Sequence, residues 1–222
     1  MLKWVDAIGK EHAPVHPGRA VRIVSLVPSI TELLCDLGLA DRVVGRTGFC
    51  IHPQSSVSVI PKVGGTKDVN LEKIRRLAPT HLIVNIDENE KPTVEALADV
   101  VPHIIVTHPM APLDNLELYR LLGGIFRKDR EASVLCERFQ QEYDALVHYK
   151  SSAPLSLQST HRVLYCIWKD PWMTVSRDTY IARMLELIGW QQWLVNSTAR
   201  YPAFEWDTKM LTAIDEILLS LS

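Results

Sequence analysis

Four aromatic residues lie in segments that the sequence predicts to be loops, where side chains can contact a ligand: Phe49, Trp168, Trp172 and Tyr201. Rigid aromatic rings cover the apolar faces of large planar molecules, and such pockets carry only a few polar groups. The alternative interpretation is core packing, which is preferred for Trp190 and Trp193 because they follow a predicted helix closely. The pattern therefore favours non-covalent binding of a large apolar ligand.

Charged residues near these aromatics could supply the polar anchors of such a pocket. The candidates are Lys67, Asp87, Glu88, Lys169, Asp170 and Arg200.

Metal binding and catalysis are less well supported. Cys50 and His52 are two residues apart, so on a strand they would share a face, but no matched third and fourth ligand is evident. Ser29 follows a predicted strand and opens a helix, yet the flanking glycines of a nucleophile elbow are missing. Its spacing from Glu32 indicates a helix capping box instead. We assign no catalytic residue and no metal ligand, and we predict that the protein is not an enzyme.

The composition excludes several other classes of protein. The net charge is −2 and no run of lysine and arginine occurs, which disfavours nucleic acid as a partner. The 4 cysteines are widely spaced, so neither a zinc site nor a disulfide framework is indicated. No secretory signal and no span of about 20 apolar residues is visible. The chain as written is predicted to be soluble and cytoplasmic, without membrane insertion.

Strands and helices alternate in the first half of the chain. Short runs rich in β-branched residues predict strands at residues 21–27, 43–45, 81–86 and 103–107. Apolar spacing predicts helices at residues 29–37, 71–77 and 92–100, with Asn70 as the N-cap of the second. This order is typical of parallel βαβ units whose sheet is covered on both faces.

The alternation then gives way to helices. Residues 114–125 and 129–149 predict two helices, the second long enough to span a small domain, and residues 151–160 a polar linker. A second series follows, with strands at residues 163–168 and 216–219 and helices at 180–188 and 207–213. Two strands are few for a lobe, which therefore looks truncated.

The predicted fold class is thus α/β, with two Rossmann-like lobes of parallel sheet joined by a long backbone helix. The predicted divisions are a leader arm at residues 1–19, an N-terminal α/β lobe at 20–112, a helical linker at 113–160 and a C-terminal α/β lobe at 161–222.

Several sequence blocks resemble the helical-backbone (class III) periplasmic binding proteins of ABC transporters, most closely the cobalamin-binding branch. The blocks are RIVSLVPSITELL at residues 22–34, VVG at 43–45, TGFC at 47–50, VGG at 63–65 and NLEKIRRLAP at 70–79. The C-terminal half matches more loosely, through Arg162-Val163 and the loops around Trp172 and Tyr201-Pro202. Members normally carry a secretory signal, are periplasmic or lipid-anchored, and continue a few dozen residues beyond the position of Leu219.

The resemblance implies a monomeric binding protein that holds a small-molecule ligand in the cleft between its lobes and requires no cofactor. The expected ligand is cobalamin or a related tetrapyrrole, and the alternative ligands are a ferric siderophore and haem. The alternative function is that of a chelatase-like metal enzyme. The expected ligand-binding residues are Phe49, Lys67, Ile86, Trp168, Trp172 and Tyr201.

The resemblance also names an ABC transporter permease as a candidate partner. In transporting members, one acidic residue on each lobe docks to arginines of the permease. Glu72 stands at the first of these positions. The second falls near Thr208, which is not acidic, although Glu205 and Asp207 lie beside it.

Overall fold

The structure is a computed structural model that describes residues 4–152, 161–195 and 197–220. The chain forms two compact units. The first comprises Met1–His108 and Leu116–Cys136, and the second comprises Pro109–Asn115 and Glu137–Ser222.

The first unit is built on a parallel sheet preceded by a small hairpin. The hairpin consists of β1 (Trp4–Val5) and β2 (Glu11–His12), which are antiparallel. The sheet has the order β4-β3-β5-β6, from strands β3 (Ile23–Ser25), β4 (Val43–Arg46), β5 (His81–Asn85) and β6 (His103–Thr107). The helices of this part are α1 (Pro28–Asp36), α2 (Gln54–Val57), α3 (Leu71–Leu77), α4 (Lys91–Glu95) and α5 (Asp114–Phe126), with a 3-10 turn at Ala40–Arg42.

Both faces of this sheet are buried. On one face Ile23, Ile83 and Ile105 pack in a core cluster with residues of α1 and α5. On the other face Val24 and Leu82 pack in a second cluster together with residues of α3. Burial on both sides explains why these strands are almost continuously apolar rather than alternating.

The second unit carries a mixed sheet centred on one long strand. Its strands are β7 (His161–Trp168), β8 (Met173–Thr174), β9 (Trp190–Gln192) and β10 (Glu216–Leu219). β10 and β9 are parallel to β7, whereas β8 is antiparallel to it. The helices are α6 (Asp129–Ser152), which begins in the first unit, α7 (Tyr180–Leu187) and α8 (Thr208–Ala213). The α/β class, the parallel strand pairs in both sheets and the long helix are as the sequence predicted. The antiparallel strand β8 and the strand β9 were missed because they have only 2 and 3 residues.

Helix boundaries follow the local signals in most places. Asn70 caps α3, since its side chain accepts a hydrogen bond from the Lys73 amide at 2.9 Å. The predicted capping box at Ser29 was wrong, because α1 begins one residue earlier at Pro28, and no side chain caps it. The predicted helix at residues 92–100 ends at Glu95, and α6 includes the first two residues of the predicted linker. Residues 153–160 of that linker lie outside the described residues.

The segment predicted as a leader arm contributes buried side chains to the first unit. The Trp4 indole lies so close to Gly124 of α5 that a β-carbon there would stand 1.9 Å from the ring. Asp6 and His12 are buried, and the Ala7 amide donates to the Val106 carbonyl of β6 at 3.0 Å. The hairpin therefore covers part of an edge strand of the sheet. Residues 1–3 lie outside the described residues.

Candidate functional site

The loops at the carboxyl end of the first sheet present exposed apolar side chains. Because its four strands are parallel, the loops after them meet at one edge, which is where open α/β sheets bind ligands. Phe49, after β4, is 62% exposed, and Ile86, directly after β5, is 46% exposed. A β-carbon on Gly65 would lie 3.5 Å from the Phe49 ring, so the loop that carries Lys67 is adjacent. We call this edge, with Phe49, Lys67 and Ile86, the first-unit edge.

Asn89 connects three segments of the first-unit edge. Its buried amide nitrogen donates to the Leu26 carbonyl at 3.2 Å and to the Thr66 carbonyl at 2.9 Å, and its amide oxygen accepts from the Asn85 amide at 2.9 Å. One side chain therefore fixes the relative positions of three loops: the loop after β3, the loop after β5 and the loop before α3. Sequence analysis missed this residue, because nothing local distinguishes it from a solvated asparagine in a turn.

We expect Asn89→Ala to lower the free energy of unfolding by about 2 kcal/mol, because two partly buried carbonyls lose their donor. Urea denaturation monitored by circular dichroism measures the change. Gln141→Ala, at an exposed position of α6, is the control and should change the value by less than about 0.5 kcal/mol. Equal, small effects of the two substitutions would contradict the bridging role of Asn89.

Two neighbouring carboxylates give the first-unit edge a negative charge. Asp87 and Glu88 follow Ile86 in the loop after β5, and an Asp87 carboxylate oxygen lies 3.3 Å from Nε2 of His108, the residue after β6. Burial, reinforced by the charge of Asp87, raises the pKa of Glu88 to about 7. The exposed Lys67 supplies a positive charge in the adjacent loop.

Cys50 and His52 are not arranged as the metal hypothesis required. β4 ends at Arg46, so the two residues lie in a loop rather than at alternate positions of a strand. The buried Cys50 sulfur is 3.1 Å from the hydroxyl oxygens of both Thr31 and Thr47, contacts that stabilise the loop. Over residues 4–152, 161–195 and 197–220, no group of three or more His, Cys, Asp or Glu side chains is placed to hold a metal ion.

In the second unit, Trp168 and Trp172 have different environments. Trp168 ends β7 and is 58% exposed. Trp172 packs edge-on against Trp206, with ring centroids 5.4 Å apart, in a hydrophobic cluster that also contains Phe204. The Lys169 ammonium lies 5.9 Å from the Trp172 ring centroid. Trp172 is thus partly buried, and its aromatic partners Phe204 and Trp206 could not be foreseen because they lie more than thirty residues away in the sequence.

Tyr201 lies on a segment that pairs with the strand after Trp172. The Phe204 amide donates to the Trp172 carbonyl at 2.9 Å, and the Ser176 amide donates to the Arg200 carbonyl at 2.8 Å. Tyr201 therefore lies next to the residue that pairs with Ser176 and is not adjacent to Trp172. The Arg200 guanidinium stacks over the Tyr201 ring at 5.6 Å, a cation–π contact.

The remaining predictions concern residues away from these loops. Trp193 packs in the cluster with Trp172, as the core interpretation expected. Glu72 is exposed in the first turn of α3 and forms an ion pair with Arg75. Its docking role stays a prediction, as does a ligand cleft between the lobes. No helix in the described part of the chain is long and apolar enough to cross a membrane.

Comparison with known proteins decides the family. Residues 23–215 match the sequence profile described as periplasmic binding protein. The chain belongs to the periplasmic binding protein family. This family consists of solute-binding proteins rather than enzymes, in agreement with the sequence prediction and against the chelatase alternative.

Relatives of this periplasmic binding protein differ in the ligands that their names state. A vitamin B12-binding protein of Pectobacterium atrosepticum is 23% identical over 181 residues, which cover 82% of this chain and 64% of the relative. Among solved structures, a periplasmic vitamin B12-binding protein of Vibrio cholerae superposes with a TM-score of 0.79 at 20% identity, covering 90% of this chain and 76% of that one. A periplasmic haem-binding protein of Roseiflexus has a TM-score of 0.76 at 20% identity, with 90% and 76% covered. These structural similarities establish the fold, and the chain spans less than two thirds of the length of the first curated relative.

Proposed function

We propose that this protein is the substrate-binding component of an ABC transporter and that it binds cobalamin or a closely related tetrapyrrole. The observation that carries the proposal is the pair of exposed apolar side chains, Phe49 and Ile86, at the carboxyl end of a parallel sheet. Large apolar side chains gathered at such an edge are typical of a ligand site. Relatives named as vitamin B12-binding proteins support the choice of ligand.

The proposed contacts divide between the two units. In the first unit, Phe49 and Ile86 contact the apolar face of the macrocycle and Lys67 one of its polar substituents. In the second unit, Trp168 offers most of its ring, whereas Trp172 offers only the part of its ring that is not packed against Trp206. Tyr201 completes the proposed set.

The proposal extends to the transporter. Glu72 is exposed on α3 and would dock to basic residues of a permease. As in the family, this would place the protein in the periplasm or on a lipid anchor, where it would act as a monomer.

Calorimetric titration with cyanocobalamin, together with its visible spectrum, tests the proposed ligand. We expect saturable binding with a shift of the visible bands. Haemin and a ferric siderophore, titrated in parallel, test the two alternatives on the same scaffold. Saturation by either of them, with no heat and no spectral shift from cyanocobalamin at high micromolar concentration, would reassign the ligand.

Phe49→Ala is expected to weaken cyanocobalamin binding about tenfold, because it removes an exposed ring worth roughly 1.5 kcal/mol of ligand contact. The fold should be unaffected, since the ring is mostly in solvent. Tyr149→Ala, at an exposed aromatic on α6 outside the proposed loops, is the matched control and should leave the Kd unchanged. Equal Kd values for the Phe49 variant and the parent protein would remove Phe49 from the site.

A further inference from the structure

We propose that Asp87 and Glu88 make the first-unit edge selective for neutral, amide-bearing tetrapyrroles over those that carry carboxylates. This inference rests on the proposed function, because it assigns specificity within the same site. It goes beyond ligand contact, since it assigns to two acidic residues the exclusion of the wrong ligand.

Hydrogen bonds hold the two carboxylates next to the apolar contact surface. Asp87 donates its backbone N–H to the side-chain oxygen of Asn85 at 2.8 Å, and Glu88 donates its backbone N–H to the Asn85 carbonyl at 3.3 Å. The turn therefore begins at the exposed Ile86 and ends at the buried Asn89. A ligand that covers Ile86 must bring its rim close to the residues that follow.

The chemistry of the ligand rim then decides the affinity. The periphery of cobalamin carries amides, whose N–H groups can donate hydrogen bonds to carboxylates. Haem and many ferric siderophores carry carboxylates or other anionic oxygens, which two nearby carboxylates repel. A like charge placed against an incoming ligand is a common device for rejecting it.

The charged or titratable groups near this pair come from two other segments. His108 lies against Asp87, and Lys67 is in the neighbouring loop. Since the pKa of Glu88 is raised to about 7, Glu88 is ionised at pH 8 and largely protonated at pH 6. Discrimination against anionic ligands should therefore weaken as the pH falls from about 8 to about 6.

The test compares cyanocobalamin with its monocarboxylate, in which one peripheral amide has been hydrolysed to an acid. For the parent protein at pH 8, we expect the Kd of the monocarboxylate to exceed that of cyanocobalamin by about tenfold. The ratio should fall to about threefold at pH 6 and should also be about threefold at pH 8 in Glu88→Gln. Asp87→Asn should lower it as well. Glu90→Gln, at an exposed acid two residues further on, is the matched control and should keep the full ratio.

The outcomes separate the selectivity from the function on which it rests. Cyanocobalamin and its monocarboxylate binding equally at pH 8 would overturn the selectivity and leave the proposed function intact. A ratio of tenfold that persists in both Glu88→Gln and Asp87→Asn would assign the discrimination to other residues and would also overturn it. Failure of cyanocobalamin to bind at all would overturn the proposed function and the selectivity together.

Discussion

Replacing Asp6 by alanine is expected to lower the free energy of unfolding by roughly 3–5 kcal/mol, the range typical of breaking a buried charge-bearing network. The buried carboxylate of Asp6 accepts hydrogen bonds from the amides of Ile8, Lys10 and Val106 at 2.9 to 3.1 Å. His12 Nε2 lies 3.0 Å from the same carboxylate. Alanine would leave the buried Val106 amide and the buried His12 ring without this acceptor and would weaken the attachment of the hairpin to β6.

Urea denaturation of the Asp6→Ala variant measures this loss. Asp41→Ala is the matched control, because the Asp41 side chain is 70% exposed and pairs with Arg42, whose side chain is 50% exposed. Such a surface pair contributes at most about 1 kcal/mol. If the Asp6 variant were as stable as the Asp41 variant, the hairpin would not contribute to the stability of the first unit.

The second large effect is a loss of stability in acid that depends on His81. Burial lowers the pKa of His81 to about 4, and the nearby His103 and His12 add to this shift. The ring stacks on His103 with centroids 4.8 Å apart and meets Phe126 edge-on at 5.1 Å. The folded protein therefore holds this imidazole in its neutral form.

The sign of the pH dependence follows from that preference. In the unfolded chain His81 titrates near pH 6.5, so between about pH 6.5 and pH 4 the unfolded state binds a proton that the folded state does not. The contribution of neutral His81 to the free energy of unfolding is therefore fully present above pH 6.5 and is lost as the pH falls towards 4. A shift of about 2.5 pH units corresponds to roughly 3 kcal/mol. The raised pKa of Glu88 acts in the opposite direction between pH 7 and pH 4.5, so a comparison with a variant is needed.

His81→Phe should remove the contribution of this residue while it keeps an aromatic ring against His103 and Phe126. The difference in unfolding free energy between pH 7.5 and pH 4.5 should be smaller in the variant than in the parent by about 2–3 kcal/mol. His148→Phe, at an exposed position of α6, should retain the parent difference. Identical pH profiles for the parent and the His81 variant would show that acid sensitivity arises elsewhere.

The amino-acid sequence alone determined the elements whose burial is encoded locally. A strand covered on both faces must be apolar along its whole length, so β3, β5 and β6 could be read directly from short β-branched runs. Periodic apolar spacing and Asn70 likewise identified α3, and the motif blocks around these elements led to the family. The sequence also predicted that Phe49 lies in the loop after the second strand, whereas Ile86 was assigned to the end of a strand that in the structure stops at Asn85.

Tertiary structure alone decided which distant residues share an environment. Asn89 binds to the Leu26 carbonyl 63 residues away, and Asp6 accepts from the Val106 amide 100 residues away, but neither residue differs locally from a solvated polar side chain. The short strand β8 exists because β7 supplies its hydrogen-bonding partner. The partial burial of Trp172 likewise depends on a distant residue, Trp206. The local spacing of apolar residues indicates whether a segment is buried. It does not indicate which distant residues bury it, because those contacts form only when the whole chain folds.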